Sequence, residues 1–249
     1  MNVKIVFPEI NNPTISEAIK KTGANAVAAD SLEEACQKVK NGEANAMIAG
    51  IDYASRDVIL AARDIIGKTS ETFTSCFVMR KGEQKLIVAD VATCKNPNAD
   101  QLVEIVLQTY ATAEKVLDTA PKVAMLSFSS FGSARNDESI DKMREAIEKV
   151  RVARPDITID GEMQLDAAIN PIIAKKKAPS SAVAGKANVL ICPDLNSGNI
   201  LYKAIEQFGG WTAAGPILQG FKAPVSDLSR GSSIDDVAMA IEMMEKING

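Results

Sequence analysis

Ten residues near the end of the chain carry the side chains best suited to handling an anion and a proton. They run Asp227, Leu228, Ser229, Arg230, Gly231, Ser232, Ser233, Ile234, Asp235, Asp236. A hydroxyl, a guanidinium, a flexible glycine and carboxylates meet there at the start of an apolar-periodic helix. The unpaired N–H groups and the dipole of a helix start favour negative charge. Arg230 adds a forked donor matched to phosphate or carboxylate, and a nearby Asp can accept a proton. The same residues also have a structural use. Ser232 with Asp235, or Ser233 with Asp236, has the spacing of a capping box. Spacing alone leaves both uses open.

Two more stretches place small polar residues after apolar runs. Val123 to Ser127 leads into Phe128-Ser129-Ser130-Phe131-Gly132-Ser133-Ala134-Arg135-Asn136, and Ala187 to Cys192 leads into Pro193-Asp194-Leu195-Asn196-Ser197-Gly198-Asn199. Ligands of open α/β sheets bind at the carboxyl ends of strands, and small residues let backbone donors approach an anion. Gly67-Lys68-Thr69 is not a phosphate loop, because the first glycine of that motif falls on Ala62 and a helix precedes it.

The chain has no histidine, which excludes Ser-His-Asp and Cys-His mechanisms and imidazole bases. Cys36, Cys76, Cys94 and Cys192 are far apart with no C-x-x-C pair, so neither a zinc site nor a disulfide frame is expected. The last three lie in or beside strands, where packing is the expected role. Net charge is −4 with scattered Lys and Arg, which offers nucleic acid no electrostatic footprint. No apolar run reaches membrane-spanning length. No signal peptide is read, so the expected setting is the cytoplasm.

The 249 residues make one large domain or two modest ones. Apolar runs at residues 3–7, 25–29 and 45–49 alternate with helices that start near Thr14 or Ser16, at Ser31 and at Ser55. Two apolar runs, 73–79 and 86–91, flank Lys81-Gly82-Glu83-Gln84 as a hairpin. A helix follows from Asn98 or Asp100 to about Leu117, then a strand, 123–127, and a helix, 137–152. Residues 157–159 read as a short strand, Gly161 as a turn, and 163–177 as helix divided at Pro171. After the strand 187–192, a helix starts at Ile200. Residues 210–226 read as connecting chain before the last helix, 233–247.

Taken together, these stretches resemble the phosphate acetyl/butyryltransferase family, and within it the acetyltransferase branch. The matching pieces are Phe7-Pro8-Glu9, Val123 to Ser129, Asp160-Gly161 with Gln164 and Asp166-Ala167-Ala168, and Lys177 to Ser180 with Val183-Ala184-Gly185. They continue with Pro193 to Asn199, Gly215 to Gly220, Pro224-Val225, Asp227 to Gly231 and Asp235-Asp236. The resemblance implies a two-domain, three-layer α/β/α protein like the isocitrate/isopropylmalate dehydrogenases, usually a homodimer. Residues 1–70 with 225–249 would form a reduced first domain and 71–224 the second, with the active cleft between them. The implied reaction moves an acetyl or other short acyl group between coenzyme A and inorganic phosphate. It needs no metal, no bound cofactor and no covalent intermediate, and coenzyme A is a substrate. Asp236 is implied as the base for the thiol, Ser229 as a hydrogen-bond donor to the thiol or carbonyl, and Arg230 as the clamp on phosphate or oxyanion. Ser127, Ser129, Ser130, Gly132 and Ser133, and Asn196, Ser197, Gly198 and Asn199, would line the cleft. No nucleic-acid or membrane partner is implied.

Two departures stand out. The section before Thr72 is shorter than the family's first domain, the loss falling after the first helix. An arginine that the family carries after its third strand falls on Leu60 here, while Arg56 lies one helical turn earlier on the same face. These features define the alternative, a non-catalytic relative that binds coenzyme A or an acyl phosphate. A different thioester or acyl-phosphate enzyme on the same fold is a further reading. A nicotinamide-dependent dehydrogenase is not expected, because no G-x-G-x-x-G follows a strand.

Overall fold

A computed structural model describes residues 3–134 and 137–249. In chain order its elements are β1 (Lys4–Phe7), α1 (Pro13–Thr22), β2 (Asn25–Ala28), α2 (Leu32–Lys40), β3 (Ala46–Ala49), α3 (Ser55–Ala61), β4 (Thr74–Lys81), β5 (Gln84–Ala89), α4 (Ala99–Val116) and β6 (Val123–Leu126). They continue as α5 (Glu138–Ala153), β7 (Ile159–Met163), α6 (Leu165–Ile169), α7 (Pro171–Lys177), β8 (Val189–Ile191), α8 (Leu195–Gln207), β9 (Thr212–Gln219), β10 (Val225–Asp227) and α9 (Ile234–Asn248). A π-helical turn, Ala62–Ile66, prolongs α3. The chain divides into two compact units: residues up to Phe73 with Trp211–Gly249, and Thr74–Gly210.

In the first unit the strand order is β2-β1-β3-β10-β9, parallel except for β9. Ile5, Val6 and Phe7 are all fully buried, as expected of a parallel strand covered on both faces. Helix α1 starts at Asn12, whose side chain takes the Thr14 N–H, with Pro13 in its first turn. The β1–α1–β2 and β2–α2–β3 crossovers travel in opposite directions along the sheet. Right-handed connections therefore set α1 and α2 on opposite faces. Accordingly α1 packs on α9, and α2 on the turn at Ala62–Ile66. The core of the α2 side includes Val39, Met47, Val58 and Val225.

In the second unit the order is β4-β5-β8-β6-β7. The expected hairpin is present, Cys76 pairing with Ala89 and Lys81 with Gln84. Beyond it β5, β8, β6 and β7 run parallel. Helices α4 and α5 pack on each other, and α8 packs on β4 and β5.

The structure corrects the sequence reading in four places. The connecting chain 210–226 holds two strands, β9 and β10. Gly215 and Pro216 in β9 resemble loop punctuation, and the tertiary ladder overrides them. Because β9 pairs with β10, residues 211–224 belong with the first unit rather than the second. Gly161 lies within β7, opposite Met125, instead of forming a turn. Leu195 to Asn199 are the first turns of α8, capped by Asp194, and not a loop.

Gly198 is where the second unit is least tolerant. A Cβ there would overlap the Asp90 carbonyl oxygen, a backbone atom at the end of β5. Gly198→Ala should therefore lower stability by about 2–4 kcal/mol, as overpacking against backbone does. Gly23→Ala, at a left-handed helix end with open space around it, should cost about 1–2 kcal/mol. Chemical denaturation of both variants checks the contrast.

Candidate functional site

At the carboxyl edge of the first unit, three loops leave the parallel strands β1, β3 and β10. Glu9, buried just after β1, collects the backbone donors of the loop after β3. Its Oε2 accepts from Gly50 N at 2.7 Å, and its Oε1 from Asp52 N at 2.5 Å and Tyr53 N at 3.1 Å. That loop delivers Ser55 and Arg56 to the start of α3. Gly50 has φ +114, and a Cβ there would collide with Asp227 Oδ1 and lie 2.7 Å from Leu228 N. Only glycine lets the two loops close on each other here.

Asp227, the last residue of β10, is 1% exposed. Its two carboxylate oxygens are the only buried side-chain polar atoms without a hydrogen-bond partner among the described residues. Burial pushes its pKa up from 3.8 to about 6. The nearby Ser55 side chain pulls it down, though it makes no hydrogen bond of ordinary geometry, and the charge on Glu9 pushes it up again.

Ser229 to Ser232 form a turn closed by Ser232 N on Ser229 O at 2.9 Å, and Gly231 N donates to Ser229 Oγ at 3.3 Å. Arg230 and Arg56 are both exposed, and neither forms an ion pair among the described residues. The two guanidiniums thus stand unpaired among the described residues, Arg56 in the first turn of α3 after β3 and Arg230 in the turn after β10, and β3 and β10 are adjacent and parallel. Asp236 is buried at the third position of α9 in a full capping box with Ser233. Its Oδ2 accepts from Ser233 N at 2.8 Å and Ser233 Oγ at 2.7 Å, and its Oδ1 from Ala213 N at 2.9 Å. A carboxylate has about four acceptor positions, so one on Oδ1 remains. Of the two spacings open in the sequence, Ser233 with Asp236 forms the cap. Asp235 instead makes an exposed ion pair with Lys21.

In the second unit, the Ser-rich loop after β6 is folded onto β7. Ser129 is fully buried; its Oγ donates to Glu162 Oε1 at 2.8 Å and accepts from Ala134 N at 3.0 Å. Glu162 Oε1 also accepts from Gly132 N at 3.0 Å, and Arg144 grips both oxygens, at 2.7 and 3.1 Å. Burial raises the Glu162 pKa, but Arg144, the Gly132 amide and Ser129 outweigh it and hold the carboxyl below its ordinary value. Ser133 Oγ takes the Ser130 N–H at 2.9 Å. Beside the loop lies an open cavity of about 520 Å³ whose lining includes Phe131, Gly132, Arg144, Arg151 and Glu162. Arg135 and Asn136, read as part of this loop, lie outside the described residues.

At α8, Asp194 caps the helix through Ser197 N at 2.8 Å and Ser197 Oγ at 3.1 Å. Asn199 Nδ2 donates to Val91 O at 3.3 Å, Gly198 is packed on Asp90, and Asn196 faces solvent. Of these four, Asn196 is the residue left open to a ligand. Burial pushes the thiols of Cys36, Cys94 and Cys192 up to about 12 and raises Cys76 as well. Shifts in this direction favour the protonated thiol.

Glu9 and Glu162 were missed as organisers in the sequence. Glu9 sits in a matched motif, Phe7-Pro8-Glu9, and Glu162 directly follows the matched pair Asp160-Gly161, but the loops they hold lie 41 and 30 residues away in the chain.

Comparison with known proteins now identifies relatives. Residues 6–244 match the family model described as phosphate acetyl/butaryl transferase. A phosphate acetyltransferase of Clostridium acetobutylicum is 44% identical over 221 residues, covering 85% of this chain and 66% of the relative, so the chain spans just under two thirds of its length. The crystal structure of a phosphotransacetylase from Streptococcus pyogenes superposes with a TM-score of 0.84 at 32% identity, covering 100% of this chain and 95% of that one. A 4-hydroxythreonine-4-phosphate dehydrogenase from Klebsiella pneumoniae superposes with a TM-score of 0.54 at 12% identity over 88% of this chain and 69% of that one. That likeness concerns the fold alone and accords with the expected dehydrogenase-like architecture.

The orphaned carboxylate makes stability depend on pH. The folded state holds the Asp227 proton more tightly than the unfolded chain does. The resulting stabilisation is full below about pH 4 and is lost as pH rises through 6. A pKa difference of about 2 corresponds to about 3 kcal/mol. Asp227→Asn, which stays neutral, should therefore be more stable than the parent by about 1–3 kcal/mol at pH 7.5 and lose that advantage below pH 4. Urea titrations at the two pH values measure it.

Proposed function

Because the chain belongs to the phosphate acetyl/butyryl transferase family, we propose that it moves a short acyl group between coenzyme A and inorganic phosphate. The observation that carries this reading is the Ser229–Arg230 turn, where an unpaired guanidinium stands beside a hydroxyl at the carboxyl edge of a parallel sheet. That is a donor set for a phosphate, or for the oxyanion of acyl transfer.

In the proposed step the thiol proton of coenzyme A passes to the open position on Asp236 Oδ1. The sulfur then attacks the carbonyl carbon of the acyl phosphate. Arg230 takes the charge that collects on the carbonyl oxygen, with Ser229 as a second donor. The C–O bond to phosphate breaks as the carbonyl reforms, leaving a thioester and inorganic phosphate. A thiol of pKa near 8.5 needs only a carboxylate and a positive field to present its thiolate. Arg56 is assigned to the same anion, and the loop Ser127 to Ser133 with Asn196 to holding coenzyme A. Cytoplasmic location and homodimer assembly belong to the same reading. Unpaired cysteines support the first, and the family resemblance the second. No helix among the described residues is long and apolar enough to cross a membrane.

The test is thioester formation from coenzyme A and a panel of acyl phosphates. Ser229→Ala and Arg230→Ala should each lower kcat/KM by about 10² or more. Asp236→Asn should lower it by about 10²–10⁴ and cost about 1 kcal/mol of stability through the broken cap. Absence of turnover with every acyl phosphate overturns the reading. Arg56→Ala should raise KM for the acyl phosphate by about tenfold, and an unchanged KM removes Arg56 from the site.

A further inference from the structure

The Ser-rich loop of the second unit spends its backbone donors on itself. Ser127 N goes to Met163 O at 2.9 Å, Ser129 N to Ser127 Oγ at 3.1 Å and Ser130 N to Ser133 Oγ at 2.9 Å. Phe131 N goes to Glu162 O at 2.9 Å, and Gly132 N to the Glu162 side chain at 3.0 Å. Ser133 N goes to Ser130 O at 3.1 Å, and Ala134 N to Ser129 Oγ at 3.0 Å. The sequence suggested amides free to cradle an anion; from Ser129 to Ala134 each is already donated. What the loop keeps is hydroxyl hydrogens. Ser127 Oγ and Ser130 Oγ each accept an N–H, the latter from Gln164 at 3.0 Å. Among the described residues neither gives its own hydrogen away, and both side chains are only half-buried.

We infer that Glu162, clamped by Arg144, is the positioning residue of this loop, and that the loop meets its ligand through the hydroxyls of Ser127 and Ser130 rather than through backbone amides. This rests on the reading of the loop as a coenzyme A contact. Four donors converge on the Glu162 side chain: the Ser129 hydroxyl, the Gly132 amide and the Arg144 Nε and Nη2 hydrogens. Its backbone carbonyl holds Phe131 as well. One buried side chain therefore fixes both ends of the turn, 129–132. Phe131, at φ +46, adopts a conformation that a non-glycine residue keeps only when its surroundings enforce it. A glutamine in place of Glu162 has one acceptor oxygen for four donors. Its amide group would also face the Arg144 guanidinium, donor to donor. The Gly132 amide and the Ser129 hydroxyl would loosen, and with them the Ala134 amide that Ser129 Oγ holds and the fixed directions of the hydroxyls.

Three measurements on Glu162→Gln, Arg144→Lys and the parent test this. The first is coenzyme A binding by calorimetry; the second is the split of KM against kcat with acyl phosphate; the third is amide hydrogen exchange of residues 130–134. In Glu162→Gln the coenzyme A Kd and KM should rise tenfold or more, with kcat within about threefold, because uniform binding is lost. Exchange should quicken in 130–134 and stay unchanged in β3 and β10. Arg144→Lys keeps the charge but not the fork, so its effect should be in the same direction and smaller. Ser127→Ala with Ser130→Ala should match the loss in affinity without quickening exchange. Unchanged affinity in Glu162→Gln, or unchanged exchange, overturns the inference. If Glu162→Gln does not fold, Ser129→Ala takes its place, and unchanged affinity and exchange there overturn it equally. A parent protein that neither binds nor turns over coenzyme A removes the functional reading instead. Exchange alone then decides whether Glu162 positions the loop.

Discussion

Backbone donors at the carboxyl ends of strands have left the sheet ladder and lie partly shielded from water, and each must find a partner. In this chain the partner is repeatedly a buried carboxylate. Glu9 takes three amides of the loop after β3. Asp90 takes those of Ala92, Thr93 and Cys94 together with the Ser75 and Thr93 hydroxyls. Glu162 takes the Ser-rich loop, and Asp236 ties the start of α9 to β9. A buried carboxylate that accepts several N–H bonds pairs its own oxygens and the loop's donors at once, so this device fixes a loop without leaving buried polar groups unpaired. Among the described residues three of the four have no cation as an ion-pair partner. Only Glu162 adds one, Arg144.

Asp227 breaks the pattern, and its position shows why. It ends β10 opposite Ala49, with Leu228 N on Ala49 O at 2.6 Å, so the neighbouring backbone donors are already used by the ladder. Glu9, the charge nearest to it, has claimed the amides of the facing loop. Of the five residues between β3 and α3, Glu9 holds the amides of Gly50, Asp52 and Tyr53. An orphaned carboxylate costs stability, and such costs cluster where function requires them. Here the cost falls two residues before Ser229.

Much of the frame was legible because it rests on local chemistry. Ser31 announces α2, Gly82 announces the hairpin, and Pro171 divides α6 from α7. Strands β9 and β10 were hidden because Gly215-Pro216 and Phe221-Lys222-Ala223-Pro224 carry the composition of loops, and only pairing across the sheet makes them strands. The first turns of α8 were hidden because Asn196, Ser197, Gly198 and Asn199 are poor helix formers. They are helical because Asp194 caps them and because only glycine fits over Asp90. The candidate site divides in the same way. Ser229, Arg230 and Asp236 announce themselves by type and spacing. That Ser129 is interior and Asn196 exposed is a matter of packing, which spacing does not encode. The organisers Glu9 and Glu162 stayed hidden for a related reason, since a carboxylate's partners come from distant loops.

The placement of Arg56 bears on the family's arginine, which falls on Leu60. Helix α3 leaves β3 through the loop that Glu9 holds, so its first residues stand nearest the sheet edge and each later turn moves away from it. Four residues earlier is about 6 Å closer to that edge along the helix axis, toward the level at which Arg230 leaves β10. Leu60 is half-buried while Arg56 is exposed. A guanidinium at Leu60 would need its long stem to reach back over one turn; at Arg56 the charge already stands at the edge. With Glu9 held by three amides and Asp227 buried, the exposed charge there is carried by Arg56 and Arg230 against Asp52 and Asp57. In the proposed reading, the anion affinity of this edge rests on how far those two guanidiniums converge.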